Sequence, residues 1–170
     1  MSHTEISAIR KLIFFLLSAV AIIALISAWS LHLDHTRADN SVDPWTAAQT
    51  VQPADFAKEL AARSSDAKPT IVCVGFHALY EGAHIPGASF HGAGSTAQGL
   101  DNLKDWAKPL PRSANLVVYC GCCPLAHCPN IRPAFLALRD MGFTHLRVLL
   151  LPTDFNTDWI AKGYPVEKTK

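Results

Sequence analysis

The sequence lacks an excess of charge of either sign, and its charged residues form no basic stripe. It has 15 Lys and Arg residues against 14 Asp and Glu residues in 170, a formal net charge of +1. Proteins that bind nucleic acid generally present clustered Lys and Arg to the phosphate backbone. The composition therefore argues against a nucleic-acid partner. The chain also has no internal repeat and no low-complexity tract, and its length suits one ordinary domain with an appendage.

The sequence also lacks the dispersed cysteines of a small protein held together by disulfides. It has five cysteines, of which one stands alone at Cys73. The other four are clustered at Cys120, Cys122, Cys123 and Cys128. Such clustering indicates local chemistry, either a metal site or a redox pair, and the odd total leaves at least one thiol without an internal disulfide partner.

A long apolar segment precedes the rest of the chain. Residues 12–33 contain no charged side chain, and as a helix they would span the ~30 Å apolar core of a bilayer. Arg10 and Lys11 lie just before them, so the positive-inside rule predicts that residues 1–11 are a short cytoplasmic N-terminus. We expect a single-pass anchor in the inner (cytoplasmic) membrane, with the domain facing the periplasm or the exterior. The alternative is a signal sequence and a protein secreted after its cleavage.

A polar linker at residues 34–49 separates this segment from a predicted domain at residues 50–167. Short apolar runs rich in β-branched residues predict strands, and apolar residues at helical spacing predict helices between them. The predicted strands are residues 69–75, 89–91, 115–119 and 146–151. The predicted helices are residues 51–62, 100–106, about 132–141 and 156–163, and residues 80–88 are predicted to form a turn. This alternation indicates an α/β domain with a central parallel sheet flanked by helices.

Ligand sites in such sheets lie at the carboxyl ends of the strands. Cys120 falls at that position, directly after the strand predicted at residues 115–119. A cysteine there faces loop amides and the start of a helix, so we expect the pKa of its thiol to be lowered and its nucleophilicity at neutral pH to be raised. Cys73 lies inside a buried strand, where a thiol is generally an inert part of the core.

Several motifs, taken in their order along the chain, resemble the rhodanese-like family. The resemblance covers roughly residues 51–166, and any one of the motifs alone would be weak. The motifs are Tyr80 followed by Ala83-His84-Ile85-Pro86-Gly87-Ala88, then Val117-Val118-Tyr119-Cys120, Arg132 opening a helix, Gly142-Phe143, and finally Trp159 with Gly163-Tyr164-Pro165.

The resemblance implies a sulfurtransferase, in which Cys120 takes a sulfur atom as a persulfide and passes it to a thiol or similar acceptor. The expected partners are a small-molecule or protein sulfur donor and a thiol acceptor, and no cofactor is required. Backbone amides around Gly121, Cys122 and Cys123 would then hold the outer sulfur, and Arg132 would supply positive charge at the helix start.

The chain departs from the family pattern at the loop itself. Eleven residues separate Cys120 from Arg132, where the family has about four. The segment Val74-Gly75-Phe76 stands where many members have Asp-Val-Arg, and Pro152-Thr153 replaces a frequent glycine pair.

Two alternatives for the loop stay open beside sulfur transfer. In a redox module, Cys122 or Cys123 would pair with Cys128 or with Cys120, as a disulfide or a resolving thiol. In a soft-metal site, thiolates and an imidazole would bind copper(I) or zinc. The candidate ligands are Cys120, Cys122, Cys123, His127 and Cys128.

Overall fold

Five short parallel strands form the centre of the computed structural model, which describes residues 43–62 and 68–169. The strands are β1 (Thr50–Val51), β2 (Thr70–Cys73), β3 (Ala88–Phe90), β4 (Leu116–Tyr119) and β5 (Leu146–Leu149). Their order in the sheet is β1-β5-β4-β2-β3, and every pair is parallel. All four residues of β4 are buried, as expected for a strand covered on both faces.

Helices connect the strands and cover the sheet. They are α1 (Pro53–Ala61), α2 (His77–Gly82), α3 (Ala97–Ala107), α4 (Ile131–Asp140) and α5 (Phe155–Asp158), with 3-10 turns at Ala47–Gln49, Leu125–His127 and Ile160–Lys162. These elements confirm the predicted α/β domain with a parallel sheet flanked by helices.

Alternate side chains of each strand belong to two separate core layers, because successive residues of a strand point to opposite faces. Ile71 and Cys73 pack in one layer with Trp159, and Val72 and Val74 pack in the other with the buried face of α4. Helix α4, which has the strongest amphipathic pattern of the described helices, thus packs on the same core layer as the start of the loop that follows β4.

The structure differs from several predicted elements, and the helix predicted at residues 156–163 is divided into α5 and the 3-10 turn at Ile160–Lys162. A helix, α2, occupies part of the predicted turn and its preceding residues. Strand β1 was not predicted, because two residues are too few to show a pattern, and its pairing with β5 defines it. Helix α3 is longer than residues 100–106, since the Thr96 side chain accepts a hydrogen bond from the Gly99 amide and begins the helix earlier.

The described residues include the end of the predicted linker, from residue 43. Trp45 is buried and lies edge-on to Phe135 of α4, with 5.4 Å between ring centroids. Asp43 forms an ion pair with Arg132, its Oδ1 2.7 Å from a guanidinium nitrogen. The predicted anchor at residues 12–33 lies outside the described residues. Within the described residues, no helix has the length and apolar character needed to cross a membrane.

Candidate active site at the Cys120 loop

Cys120 lies at the carboxyl end of β4, a strand with neighbours on both sides. The chain turns immediately after it at Gly121, whose φ is +72°, a value that favours glycine. The Gly121 carbonyl accepts a hydrogen bond of 3.0 Å from the Phe155 amide, which fixes the loop against α5. Two residues after the neighbouring strand β2, a side chain at Gly75 would place its Cβ 3.1 Å from the Cys120 carbonyl oxygen. The glycine in Val74-Gly75-Phe76 thus lets the two segments approach closely.

Three thiols converge at this position. The Sγ atoms of Cys120, Cys122 and Cys128 all lie within 4.8 Å of one another, and those of Cys120 and Cys122 are 3.1 Å apart. The thiol of Cys123 lies at the edge of this group, 3.3 Å from that of Cys122. Cys120 and Cys128 are buried, whereas Cys122 and Cys123 are partly exposed. The sulfur cluster is defined hereafter as Cys120, Cys122 and Cys128.

Asn130 is the polar residue that holds this cluster. It is fully buried, and its side-chain nitrogen donates to Cys120 at 3.5 Å and to Cys122 at 3.4 Å. Its side-chain oxygen accepts a hydrogen bond of 3.0 Å from the Ser95 amide. Asn130 occupies the N-cap position of α4, but its side chain makes no capping hydrogen bond and contacts the sulfurs instead.

The pKa values of Cys120 and Cys128 move in opposite directions. Hydrogen bonding with Cys128 and burial raise the pKa of Cys120. The same hydrogen bond, together with the amides of Asn130 and Ile131 at the start of α4, lowers the pKa of Cys128 to about 5. A pair that interacts this strongly titrates as a unit. At neutral pH it therefore carries one negative charge, held mainly on Cys128.

This arrangement differs from the expectation that Cys120 is the thiol with the lowered pKa. The long loop brings Cys128, rather than Cys120, to the amides at the helix start, and no sequence pattern shows which sulfur these amides face. Two other thiols are disfavoured as anions: burial and Cys122 raise the pKa of Cys123 to about 12, and burial raises the pKa of Cys73 to about 11.

We predict that Cys128→Ser removes the acid titration step of the domain. In the wild type, thiolate absorbance in the ultraviolet should rise as the pH increases through about 5. In the variant the charge that opposes Cys120 ionisation is gone, so the first step should move toward the ordinary thiol value of about 8.5. Cys73→Ser is the control and should keep the acid step. An acid step that persists in Cys128→Ser would contradict the assignment.

Arg132 contacts the backbone of the Cys120 loop and links it to Asp43. Its guanidinium donates to the carbonyl oxygens of Leu125 at 3.1 Å and Cys128 at 3.5 Å, and to Asp43 at 2.7 Å. It also lies over the Trp45 ring, 5.7 Å from the centroid. The charge of this arginine is thus neutralised by a carboxylate, and its contacts are with the loop backbone.

The remaining predicted site residues surround the cluster. Gly121 turns the chain behind Cys120, and Cys123 contacts Cys122. His127 is exposed on its 3-10 turn and does not belong to the group of three thiols. In the described part of the chain all five cysteines are free thiols.

A cavity of about 400 Å³ opens beside Cys120, within the usual size range of small-molecule sites. It lies between α2, the start of the Cys120 loop and α5, and Cys73 and Tyr119 form part of its lining. The sequence did not predict the side of the cavity formed by α2, because α2 lies partly in a segment predicted as a turn.

Comparison with solved structures identifies the fold. The chain is similar to the Alr3790 protein from Anabaena sp., with 25% identity over 70% of this chain and 82% of that chain and a TM-score of 0.53. It is similar to the rhodanese-like domain of Alr3790 in solution, with 24% identity over 71% and 80% and a TM-score of 0.52. The BH2092 protein from Bacillus halodurans has 19% identity over 84% and 85% and a TM-score of 0.53. No protein-family model and no curated protein matches the chain.

Proposed function

Since residues 43–62 and 68–169 form a domain with the rhodanese-like fold, we propose that the chain is a thiol-dependent sulfurtransferase that carries a persulfide on Cys120. The observation that carries this proposal is the position of the Cys120 thiol. It lies at the end of the buried strand β4, beside a cavity of substrate size and in contact with two further thiols. The sulfur is then passed to a thiol or similar acceptor.

Cys128 acts as the base in this proposal. Its thiolate lies within 4.8 Å of the Cys120 thiol and takes the proton as the Cys120 sulfur attacks the outer sulfur of the donor. The sulfur–sulfur bond of the donor breaks and its remaining part leaves with the electron pair. In the second step the acceptor thiolate attacks the outer sulfur, and Cys120 leaves as a thiolate. Because the two sulfurs titrate as one unit, a shift of the shared proton from Cys120 to Cys128 places the negative charge on Cys120 as it attacks.

Asn130 and Arg132 are positioning residues for this chemistry. The Asn130 amide orients the sulfurs of Cys120 and Cys122, and Arg132 fixes the loop through the Leu125 and Cys128 carbonyls. The backbone amide of Cys122 also donates a hydrogen bond that favours the Cys120 thiolate. This last contact is consistent with a cradle formed by Gly121 and its neighbours.

A redox function is the second candidate, and the distance of 3.1 Å between the Cys120 and Cys122 sulfurs favours it. An oxidant that accepts two electrons would join these thiols in a disulfide with loss of two protons. Copper(I) or zinc is a further alternative, because three thiols within 4.8 Å offer the soft ligands that both ions accept.

The cellular location is part of the proposal. Residues 12–33 would anchor the chain in the inner membrane, with the domain facing the periplasm or exterior, unless cleavage releases it as a secreted protein. Expression of the full chain followed by alkaline extraction of membranes distinguishes these outcomes. An anchored chain stays in the membrane pellet at full length, and a cleaved chain appears shortened in the soluble fraction.

Intact-protein mass spectrometry tests the proposed function. The reduced domain is mixed with a sulfane-sulfur donor, desalted, and then mixed with a thiol acceptor. We expect a gain of one sulfur atom, mapped by proteolysis to the Cys120 peptide and lost again on addition of the acceptor. A loss of two protons without added sulfur would support the redox candidate, and a bound metal at one ion per chain would support coordination. Either result without sulfur gain would overturn the sulfurtransferase proposal.

A further inference from the structure

The cavity beside Cys120 is lined mainly by apolar and aromatic side chains. The apolar and aromatic part of the lining consists mainly of Ala78, Leu79, Tyr80, Tyr119, Phe155 and Ile160. Leu79 is 51% exposed, so the cavity opens to solvent past an apolar side chain. An apolar ligand entering here would remove both surfaces from water, at about 25 cal/mol for each Å² buried.

The hydroxyl groups of the two tyrosines are already occupied. That of Tyr80 donates to the Ala88 carbonyl at 2.7 Å, and that of Tyr119 accepts from the Ile85 amide at 3.3 Å. The Tyr80 ring is also stacked on His84, with 4.0 Å between centroids. The O–H donor of Tyr80 is therefore already used, and Tyr80 offers a ligand its ring surface rather than a hydrogen bond.

The cavity has no positive side chain with which to hold an anion. Within residues 43–62 and 68–169, the charged residue of its lining is Asp154, whose carboxylate accepts a hydrogen bond from the Thr157 amide. Arg132 is not part of this lining and is paired with Asp43. A dianion such as thiosulfate would lose hydration here and gain no ion pair in return, which is unfavourable.

We propose that this site takes a sulfane-sulfur donor with an apolar, ring-bearing body and at most one negative charge, in preference to thiosulfate. The inference rests on the proposed function of Cys120. Thiosulfonates, R-SO2-S⁻, are suitable probes of it. The Cys120 sulfur attacks the outer sulfur, the bond between that sulfur and the sulfonyl group breaks, R-SO2⁻ leaves with the electron pair, and the thiol proton passes to Cys128.

The test compares three donors: benzenethiosulfonate, methanethiosulfonate and thiosulfate. The second-order rate of persulfide formation is measured by mass spectrometry and divided by the rate of the same donor with free cysteine, which removes intrinsic reactivity. We expect benzenethiosulfonate to exceed methanethiosulfonate by about tenfold or more, since the phenyl body buries more apolar surface against the cavity lining than a methyl group does. Thiosulfate should be slower than methanethiosulfonate by about tenfold or more.

A charge placed at the cavity mouth provides the matched variant. Leu79→Arg should raise the thiosulfate rate about tenfold and reduce the advantage of the phenyl body. Val166→Arg adds the same charge at another exposed apolar residue, 41% exposed and outside the lining, and should change neither. Both sites are exposed, so neither variant disturbs the core.

The outcomes separate the two proposals. Sulfur gain from all three donors, with thiosulfate equal to or faster than benzenethiosulfonate after correction, would overturn the donor preference and leave the sulfurtransferase function intact. An equal effect of both arginine variants would also overturn it. No sulfur gain from any donor would overturn the function of Cys120, and the donor preference with it.

Discussion

Cys120→Ser is expected to lower the rate of persulfide formation by on the order of 10³-fold or more. Serine keeps the size of the side chain but is a far weaker nucleophile at neutral pH, and its oxygen cannot form a persulfide. The measurement is the gain of one sulfur atom on the intact domain, followed over time with benzenethiosulfonate as donor. A Cys120→Ser domain that gains sulfur at the wild-type rate would refute the assignment.

Cys73→Ser is the matched control for the site of sulfur gain. Burial raises the pKa of Cys73 to about 11, so this thiol stays protonated at neutral pH and should not react. The Cys73→Ser domain should still gain one sulfur atom on the Cys120 peptide. Because Cys73 also lines the cavity, the comparison concerns where the sulfur is found and not the rate.

Gly121→Ala is expected to be the most destabilising single-methyl change in the loop. A Cβ at this position would lie 2.7 Å from the Phe155 Cβ and 3.1 Å from Leu151, and the φ of +72° disfavours any side chain. The left-handed conformation costs about 1–2 kcal/mol, and overpacking adds about 1–3 kcal/mol. The melting temperature should fall by roughly 10 °C. Sulfur gain should also slow, because the loop backbone that holds Cys120 must move.

Gly142→Ala is the control for the conformational part of this effect. Its φ is +89°, but nothing lies within 4 Å of the added Cβ. It should therefore lose only the conformational part, about 1–2 kcal/mol, and keep the wild-type rate of sulfur gain. Equal losses of melting temperature in the two variants would show that contact with Phe155 and Leu151 has no effect.

The parts of the fold that sequence patterns predict are those with strong local signals. The apolar runs at β2, β4 and β5 predict the parallel sheet, and the sheet in turn predicts that Cys120 lies at a carboxyl strand end. The two-residue strand β1 and the six-residue helix α2 have no such signal. Their existence depends on tertiary contacts, and α2 carries one wall of the cavity.

The chemistry within the loop could be predicted only in outline. The clustered cysteines indicate reactive thiols, but the fold decides which sulfurs meet and which one faces the helix amides. Asn130 shows the limit most clearly. Asparagine before a helix is a common cap, and only the three-dimensional arrangement reveals that its amide contacts the sulfurs instead. The same holds for Arg132, whose charge is neutralised by a residue 89 positions away along the chain.

The ion pair between Asp43 and Arg132 determines how short a fragment can be made: it must include residue 43 to keep the contacts of Arg132 behind the Cys120 loop. A fragment beginning at residue 50, the predicted domain boundary, would lack Asp43 and Trp45. It would leave the Arg132 guanidinium, a side chain only 18% exposed, without its carboxylate, and would uncover the Phe135 ring. Breaking one side of such a pair is more costly than removing both sides. A truncated domain would therefore keep its sheet and yet lose the geometry of its thiols. Loss of activity after truncation would then result from the missing contacts of Asp43 and Trp45, and not from any change in the catalytic residues.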